Sequence, residues 1–182
     1  MITEDILQQT MPNLKRDKCE AYFPFVQEAM DEFEINTPLR EAAFLAQIAH
    51  ESGQFQFMEE IWGPTEAQKH YEPPASKARE LGNTQPGDGK RFKGRGPIQV
   101  TGRANYQKYG ELLGLDLVGQ PELASTAAVG FRIAGAFWKT HGLNELADAE
   151  DFEEITRRIN GGLLGLKERV MFYNQAKTAL GV

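Results

Sequence analysis

The chain has 182 residues, 41% of them hydrophobic, and 20 Lys and Arg against 26 Asp and Glu give a net charge of −6 at pH 7. That length and apolar content suit one compact domain over residues 1–182 with a real core. The acidic balance argues against broad electrostatic attraction to nucleic acid or anionic lipid, and the one cysteine, Cys19, excludes an intrachain disulfide and a cysteine-rich zinc site.

The N-terminal stretch MITEDILQQTMPNLKRDK lacks a basic start followed by an apolar core, and no segment reaches the length of a membrane span. Residues 4–10 read as a helix, and a second is expected over 25–34 with Pro24 at or near its start. The third, over 38–52, is well signalled: Thr37 is a good N-cap, Pro38 fits the first turn, and alanines with Phe44, Leu45 and Ile48 follow.

That helix carries a glutamate in REAAFLAQIAHESGQF. Glu51 lies seven positions after Phe44, roughly 700° of rotation, which brings it within about 20° of the apolar face. A carboxyl group facing that way loses hydration, which favours its protonated form, the state a general acid needs. The alternative is a last-turn residue already rotated into solvent.

A polar, Gly- and Pro-rich middle runs from about residue 62 to 96, with a short helix near ASKAREL ended by Gly82. The segments KRF and PIQV suggest a small hairpin or irregular strands. Helices follow at about 103–114, at about 126–140 with Ser125 or Thr126 as cap, near 150–159, and over 166–180. The fold class expected is therefore mainly α, with a small irregular β and loop region between two helical halves.

Glycoside hydrolysis commonly uses two carboxyl groups on opposite sides of the scissile bond. The next after Glu51 are Glu59 and Glu60, in FMEEIWGP. On a straight helix Glu60 would stand about 13.5 Å further along the axis and half a turn away. A chain reversal at Gly53 would instead bring it across a groove. The glycine-rich GDGKRFKGRGPIQVTGRANY, residues 87–106, adds Gln99, Thr101 and Asn105, whose donors and acceptors suit hydroxyl and N-acetyl groups. Its spacing fits neither a P-loop nor a dinucleotide fingerprint. In ITRRINGG, Asn160 is either a helix C-terminal residue or a sugar-binding amide. The three histidines lack metal-ligand spacing, so neither a metal nor another cofactor is expected.

In order and spacing, AHESGQF, GRGPIQVTGRANY and ITRRINGG resemble glycoside hydrolase family 19, the chitinase family that also includes phage endolysins, from about residue 35 to about 175. The resemblance implies a lysozyme-like, mainly helical α+β fold and inverting cleavage of β-1,4 bonds beside N-acetylated aminosugars. It implies Glu51 as general acid, Glu60 as general base with Glu59 as runner-up, and Thr101 as the hydroxyl that holds the attacking water. It further implies Gln99, Asn105 and Asn160 as substrate contacts and Arg169 as a family arginine beside the second carboxylate, counted with the substrate-binding residues. Arg169 has a plainer reading as a helix-surface ion pair. Tyr106 is counted with the substrate contacts as one of three candidates, with Trp62 and Tyr71, to stack on sugar rings, the alternative for each being a core or loop-packing role. Two departures stand out. Many relatives read NLNYSA after the second carboxylate where this chain has IWGPTEAQ, and plant chitinases carry a glutamate where this chain has Leu164.

The function expected is that of a peptidoglycan-cleaving endolysin, lysozyme-like and monomeric, from a bacteriophage or prophage. It would partner glycan strands, with no nucleic acid and no integral membrane association, and wait in the host cytoplasm until released to the wall. The alternatives are a chitinase and a non-catalytic wall-binding module.

Overall fold

The computed structural model describes all 182 residues. It is 61% helical with almost no strand, as the periodicity predicts. Eleven α-helices run in order: α1 Glu4–Thr10, α2 Arg16–Glu32, α3 Pro38–Glu51, α4 Glu66–Lys69, α5 Ser76–Glu80, α6 Asp88–Arg91, α7 Arg103–Leu113, α8 Ala127–Thr140, α9 Leu143–Asp148, α10 Phe152–Asn160 and α11 Leu166–Leu180, with a 3₁₀ turn at Pro121–Ser125 before α8.

Helices α3 and α8, each with a side-chain cap, begin where the sequence predicts. Thr37 accepts from the Arg40 amide and Thr126, rather than Ser125, accepts from the Val129 amide. The second helix departs from expectation. It starts at Arg16, and Pro24 sits inside it. Lys15 at its N-cap makes no side-chain cap bond, so the usual start signal is missing. Pro24 and Glu20 are both exposed, so water can satisfy the Glu20 carbonyl that proline leaves without a donor. KRF also departs. Its first two residues end α6, because the Asp88 carboxylate folds the segment onto itself, accepting from the Thr84 and Gln85 amides and from Arg103. What pairing exists is confined to Glu59 with Arg95 and Arg95 with Val100.

The apolar faces build two cores. The larger includes Phe44, Leu45 and Ile48 of α3 with Phe131, Trp138, Phe172 and Phe55. The smaller gathers Phe92, Val100, Tyr106, Tyr109, Leu117, Ala124, Ile133 and Ala136. Helix α8 contributes to both, and α11 packs along α3. No helix is long and apolar enough to cross a membrane.

Candidate active site

Glu51 is the last residue of α3. Beyond it the chain reverses at once. Ser52 caps the helix, its hydroxyl donating to the Ile48 carbonyl at 2.6 Å and accepting from the Phe55 amide at 2.9 Å. Gly53, Gln54 and Phe55 then all take positive φ, at 57°, 57° and 66°. Left-handed backbone costs a non-glycine residue about 1–2 kcal/mol. Full burial of Phe55 against Phe131, with ring centroids 5.0 Å apart, offsets that cost. Gly53 is thus the first of three turn residues.

The reversal carries Met58–Glu60 alongside the 94–101 loop. The Glu60 amide donates to the Gly94 carbonyl at 2.8 Å and the Gly96 amide to the Met58 carbonyl at 2.7 Å. Gly94 is the hub of this arrangement. A Cβ there would stand 2.7 Å from Gln99 Oε1 and 3.3 Å from Thr101 Oγ1, so Glu60, Gln99 and Thr101 surround one small residue. The Thr101 hydroxyl donates to the Gln99 carbonyl at 2.9 Å, and Asn105 donates to the Thr101 carbonyl at 2.8 Å. Gln99, Thr101 and Asn105 together line a hollow of about 180 Å³ whose other walls are mainly apolar, including Ile98 and Tyr109.

The two acidic neighbours differ. Glu59 is half-exposed and ion-paired with Lys93 at 3.0 Å and Arg95 at 3.6 Å. The Lys93 hydrogen bond, aided by both cations, holds its carboxyl below the usual range. Glu60 Oε2 is buried with no hydrogen-bond partner, and such an atom in a folded protein calls for an explanation. Nearby, burial pushes the Tyr71 hydroxyl up and the Glu60 carboxylate adds to the effect. Tyr71 and Trp62 are half-buried with ring centroids 6.1 Å apart.

Arg169 is not where the resemblance implies. It lies against the first carboxylate, with Nη1 2.6 Å from Glu51 Oε1, and it is only 1% exposed. It is therefore neither a substrate contact nor a surface ion pair. The cause is the packing of α11 along α3, which turns Arg169 inward. There Nη1 also donates to Gln47 Oε1 at 2.7 Å and Nε to the Leu164 carbonyl at 3.0 Å. Gln47 in turn donates to Thr156, which donates to the Phe152 carbonyl, both at 3.0 Å. Leu164 offers Arg169 only a backbone oxygen, its side chain being exposed. Glu51 is the one carboxylate paired with this buried cation, whose charge also offsets the negative end of the α3 dipole.

Tyr106 is a second correction. It is fully buried, donates to the Lys93 carbonyl and accepts from Arg95 at 3.0 Å, so it builds the 93–101 loop from beneath and meets no substrate. Asn160 ends α10, exposed, with Gly161 as the left-handed cap. Its side chain makes no hydrogen bond, and its amide is free.

Sequence reasoning passed over Gln47 and Thr156. The signal was present, since a lone amide inside the apolar run of α3 must find a buried partner. No group of three or more His, Cys, Asp or Glu side chains is placed to hold a metal ion. His50 pairs with Glu168 at 2.9 Å and His141 stacks on Phe137.

The family model for chitinase class I, glycoside hydrolase family 19, matches residues 18–163. A glycosyl hydrolase family 19 domain-containing protein of Haemophilus influenzae is 35% identical over 159 residues, covering 74% of this chain and 77% of that protein. An endochitinase of Arabidopsis thaliana is 41% identical over 122 residues, 66% of this chain but 39% of the plant protein, so the chain spans well under half of that relative. Among solved structures, chitinase C of Streptomyces griseus shares the fold with a TM-score of 0.78 at 23% identity, over 100% of this chain and 77% of that one. A bacterial family 19 chitinase described as different from the plant enzymes gives 0.77 at 25% identity, over 100% and 95%. The lysozyme-like helical fold is thus common to this chain and its chitinase neighbours, and the chain belongs to glycoside hydrolase family 19, a family of glycosidases.

Proposed function

We propose that this protein is an endolysin of a bacteriophage or prophage that cleaves β-1,4 bonds of bacterial peptidoglycan with inversion, using Glu51 as acid and Glu60 as base. One observation carries the reading. A buried arginine pairs with one oxygen of Glu51, while across the chain reversal Glu60 keeps an unmet buried acceptor on the segment bonded to Gly94.

The chemistry follows from those contacts. Arg169 Nη1 is ion-paired with Glu51 Oε1, so that oxygen is taken by the cation and the acid proton belongs on Oε2, from which it passes to the glycosidic oxygen as the C–O bond breaks. The Thr101 hydroxyl proton is committed to the Gln99 carbonyl, leaving lone pairs to accept one hydrogen of a water. Glu60 accepts the other and takes it as the water oxygen attacks the anomeric carbon from the opposite face. Gln99, Asn105 and Asn160 supply amide contacts, and the apolar walls of the 180 Å³ hollow suit an N-acetyl methyl group. Trp62 and Tyr71 offer a stacking surface. The chain acts as one catalytic domain and a monomer, needs no cofactor, and stays in the host cytoplasm until released to the wall.

A second reading has its own support, because the plant and bacterial relatives are chitinases by name. Mass spectrometry of products from purified peptidoglycan and from chitin separates the two. Reducing N-acetylmuramic acid or N-acetylglucosamine ends on peptidoglycan fragments support the endolysin. Chitin degraded with peptidoglycan untouched makes the protein a chitinase, and no product from either leaves a wall-binding module. Proton NMR of fresh product tests inversion, for which the α-anomer is expected first.

A further inference from the structure

On the far side of the Glu59–Glu60 segment lies a hollow of about 400 Å³ lined by Lys90, Arg91, Lys93 and Arg95, with Gly87 and Pro121 and no carboxylate. Four cations around one hollow are out of keeping with a chain of net charge −6. Self-repulsion among them is retained only where something offsets it.

Inside the protein little does. Glu59, at the margin, pairs with Lys93 and approaches Arg95 at 3.6 Å, beyond hydrogen-bond reach, and it is itself half-exposed. Arg91 gives its guanidinium to the Val118 carbonyl, a neutral group. Arg95 is nine-tenths buried. Its Nη1 is used by the Arg91 carbonyl and the Tyr106 hydroxyl, while its Nε, buried and without a hydrogen bond, faces Glu59 Oε1 at 3.6 Å. One half-exposed carboxylate shared between Lys93 and Arg95 leaves Lys90 and Arg91 without an anionic partner, and an arriving anion would supply that charge.

We propose that this hollow binds a carboxylate carried by the substrate, and that the carboxylates are those of the peptides attached to the glycan strands of peptidoglycan. The inference rests on the peptidoglycan reading above and deepens it. Successive residues of an extended segment point to opposite sides. Glu59 faces the cations, and Glu60 meets Gly94 and Tyr71. A glycan lying along the Glu60 side needs only a short peptide branch to reach round to the cations. Chitin is uncharged and gains nothing there, so the hollow selects between two polymers that share one scissile linkage.

The test is calorimetric binding to the Glu51→Gln protein, which holds its ligands without cutting them. Two glycan tetrasaccharides from one peptidoglycan serve as probes, one with its peptides and one stripped of them by an amidase, with chitotetraose as the neutral reference. At low salt the peptide-bearing form is expected to bind about tenfold more tightly than the stripped form, with the ratio shrinking as salt rises. Adding Lys90→Gln and Lys93→Gln should bring the ratio below about threefold. Lys90→Gln alone, at an exposed position that does not threaten the fold, should lower it part of the way. Equal affinity for the two peptidoglycan probes, the stripped one keeping the lactyl carboxylates that the amidase frees, or a ratio that survives loss of both lysines, overturns the assignment to peptide carboxylates and leaves the peptidoglycan reading intact. Binding of chitotetraose with neither peptidoglycan probe bound overturns both.

Discussion

Arg169 Nη1 stands 2.6 Å from Glu51 Oε1 and 2.7 Å from Gln47 Oε1, so one buried nitrogen serves a carboxylate and an amide on successive turns of α3. Only a planar guanidinium reaches both and the Leu164 carbonyl at once. Arg169→Lys keeps the charge but loses the fork. Its kcat is expected to fall at least tenfold and its thermal midpoint by several degrees. Arg169→Ala strands Glu51 and Gln47, with an expected loss of about 3–5 kcal/mol in denaturant unfolding.

Removing the proposed proton donor separates chemistry from folding. Glu51→Gln retains a carbonyl oxygen for Arg169, so the midpoint should move little. Activity should fall by about 10²–10⁴, the usual share of a general acid. Retention of activity in this variant would mean that another group supplies the proton.

Glu59 and Glu60 make a paired comparison. Glu60→Gln is expected to abolish turnover, since in the proposed mechanism it removes the group that takes a proton from water. Glu59→Gln breaks half-exposed ion pairs with Lys93 and Arg95, which should cost no more than about 1 kcal/mol and leave most of the turnover. Kinetics of the two variants on one substrate decide between them, and the reverse result assigns the base to Glu59.

Tyr106 and Asn105 are neighbours with opposite surroundings. Tyr106→Phe removes the bonds to the Lys93 carbonyl and from Arg95, for an expected loss of about 1–3 kcal/mol in stability. Asn105→Ala, at an exposed position, should raise KM with little change in melting temperature. Melting curves and KM measured together resolve the two effects.

The helices were legible where their ends carried chemistry of their own. Thr37 and Pro38 announce α3, and Thr126 announces α8. The start of α2 was not, because Lys15 gives no cap and Pro24 looked like a beginning. TEAQ, residues 65–68, was a readable capping box for α4 that the Gly- and Pro-rich surroundings obscured. In the site, Glu51's direction followed from its distance to Phe44 along one helix. The partner of Arg169 did not follow, since it depends on which face of α11 meets α3, a matter of packing across more than a hundred residues. The cationic hollow was hidden for the same reason. Its four basic residues lie within KRFKGR, residues 90–95, and only the contacts of Arg95 with Tyr106 and of Lys93 with Glu59 bring them round one hollow.

Alkaline pH should unfold the protein earlier than its acidic composition suggests. Burial pushes the Tyr106 and Tyr109 hydroxyls up to about 12, from an ordinary value of 10.0. The folded state therefore keeps phenolic protons that the unfolded chain gives up. The stability this confers is whole below pH 10 and is lost as pH rises toward 12, at up to about 1.4 kcal/mol per pH unit for each tyrosine. Tyr109→Phe should flatten that decline. Urea midpoints measured from pH 9 to 12 supply the comparison, and an unchanged slope in the variant would contradict it.

Glu51 is anchored in the larger core through α3 and Arg169, whereas Glu60 hangs from Gly94 and the loop that the smaller core supports. The jaws of this molecule therefore belong to separate castings, riveted chiefly along α8. The span between them is thus a matter of core packing, to which α8 contributes Phe131 on one side and Ile133 on the other.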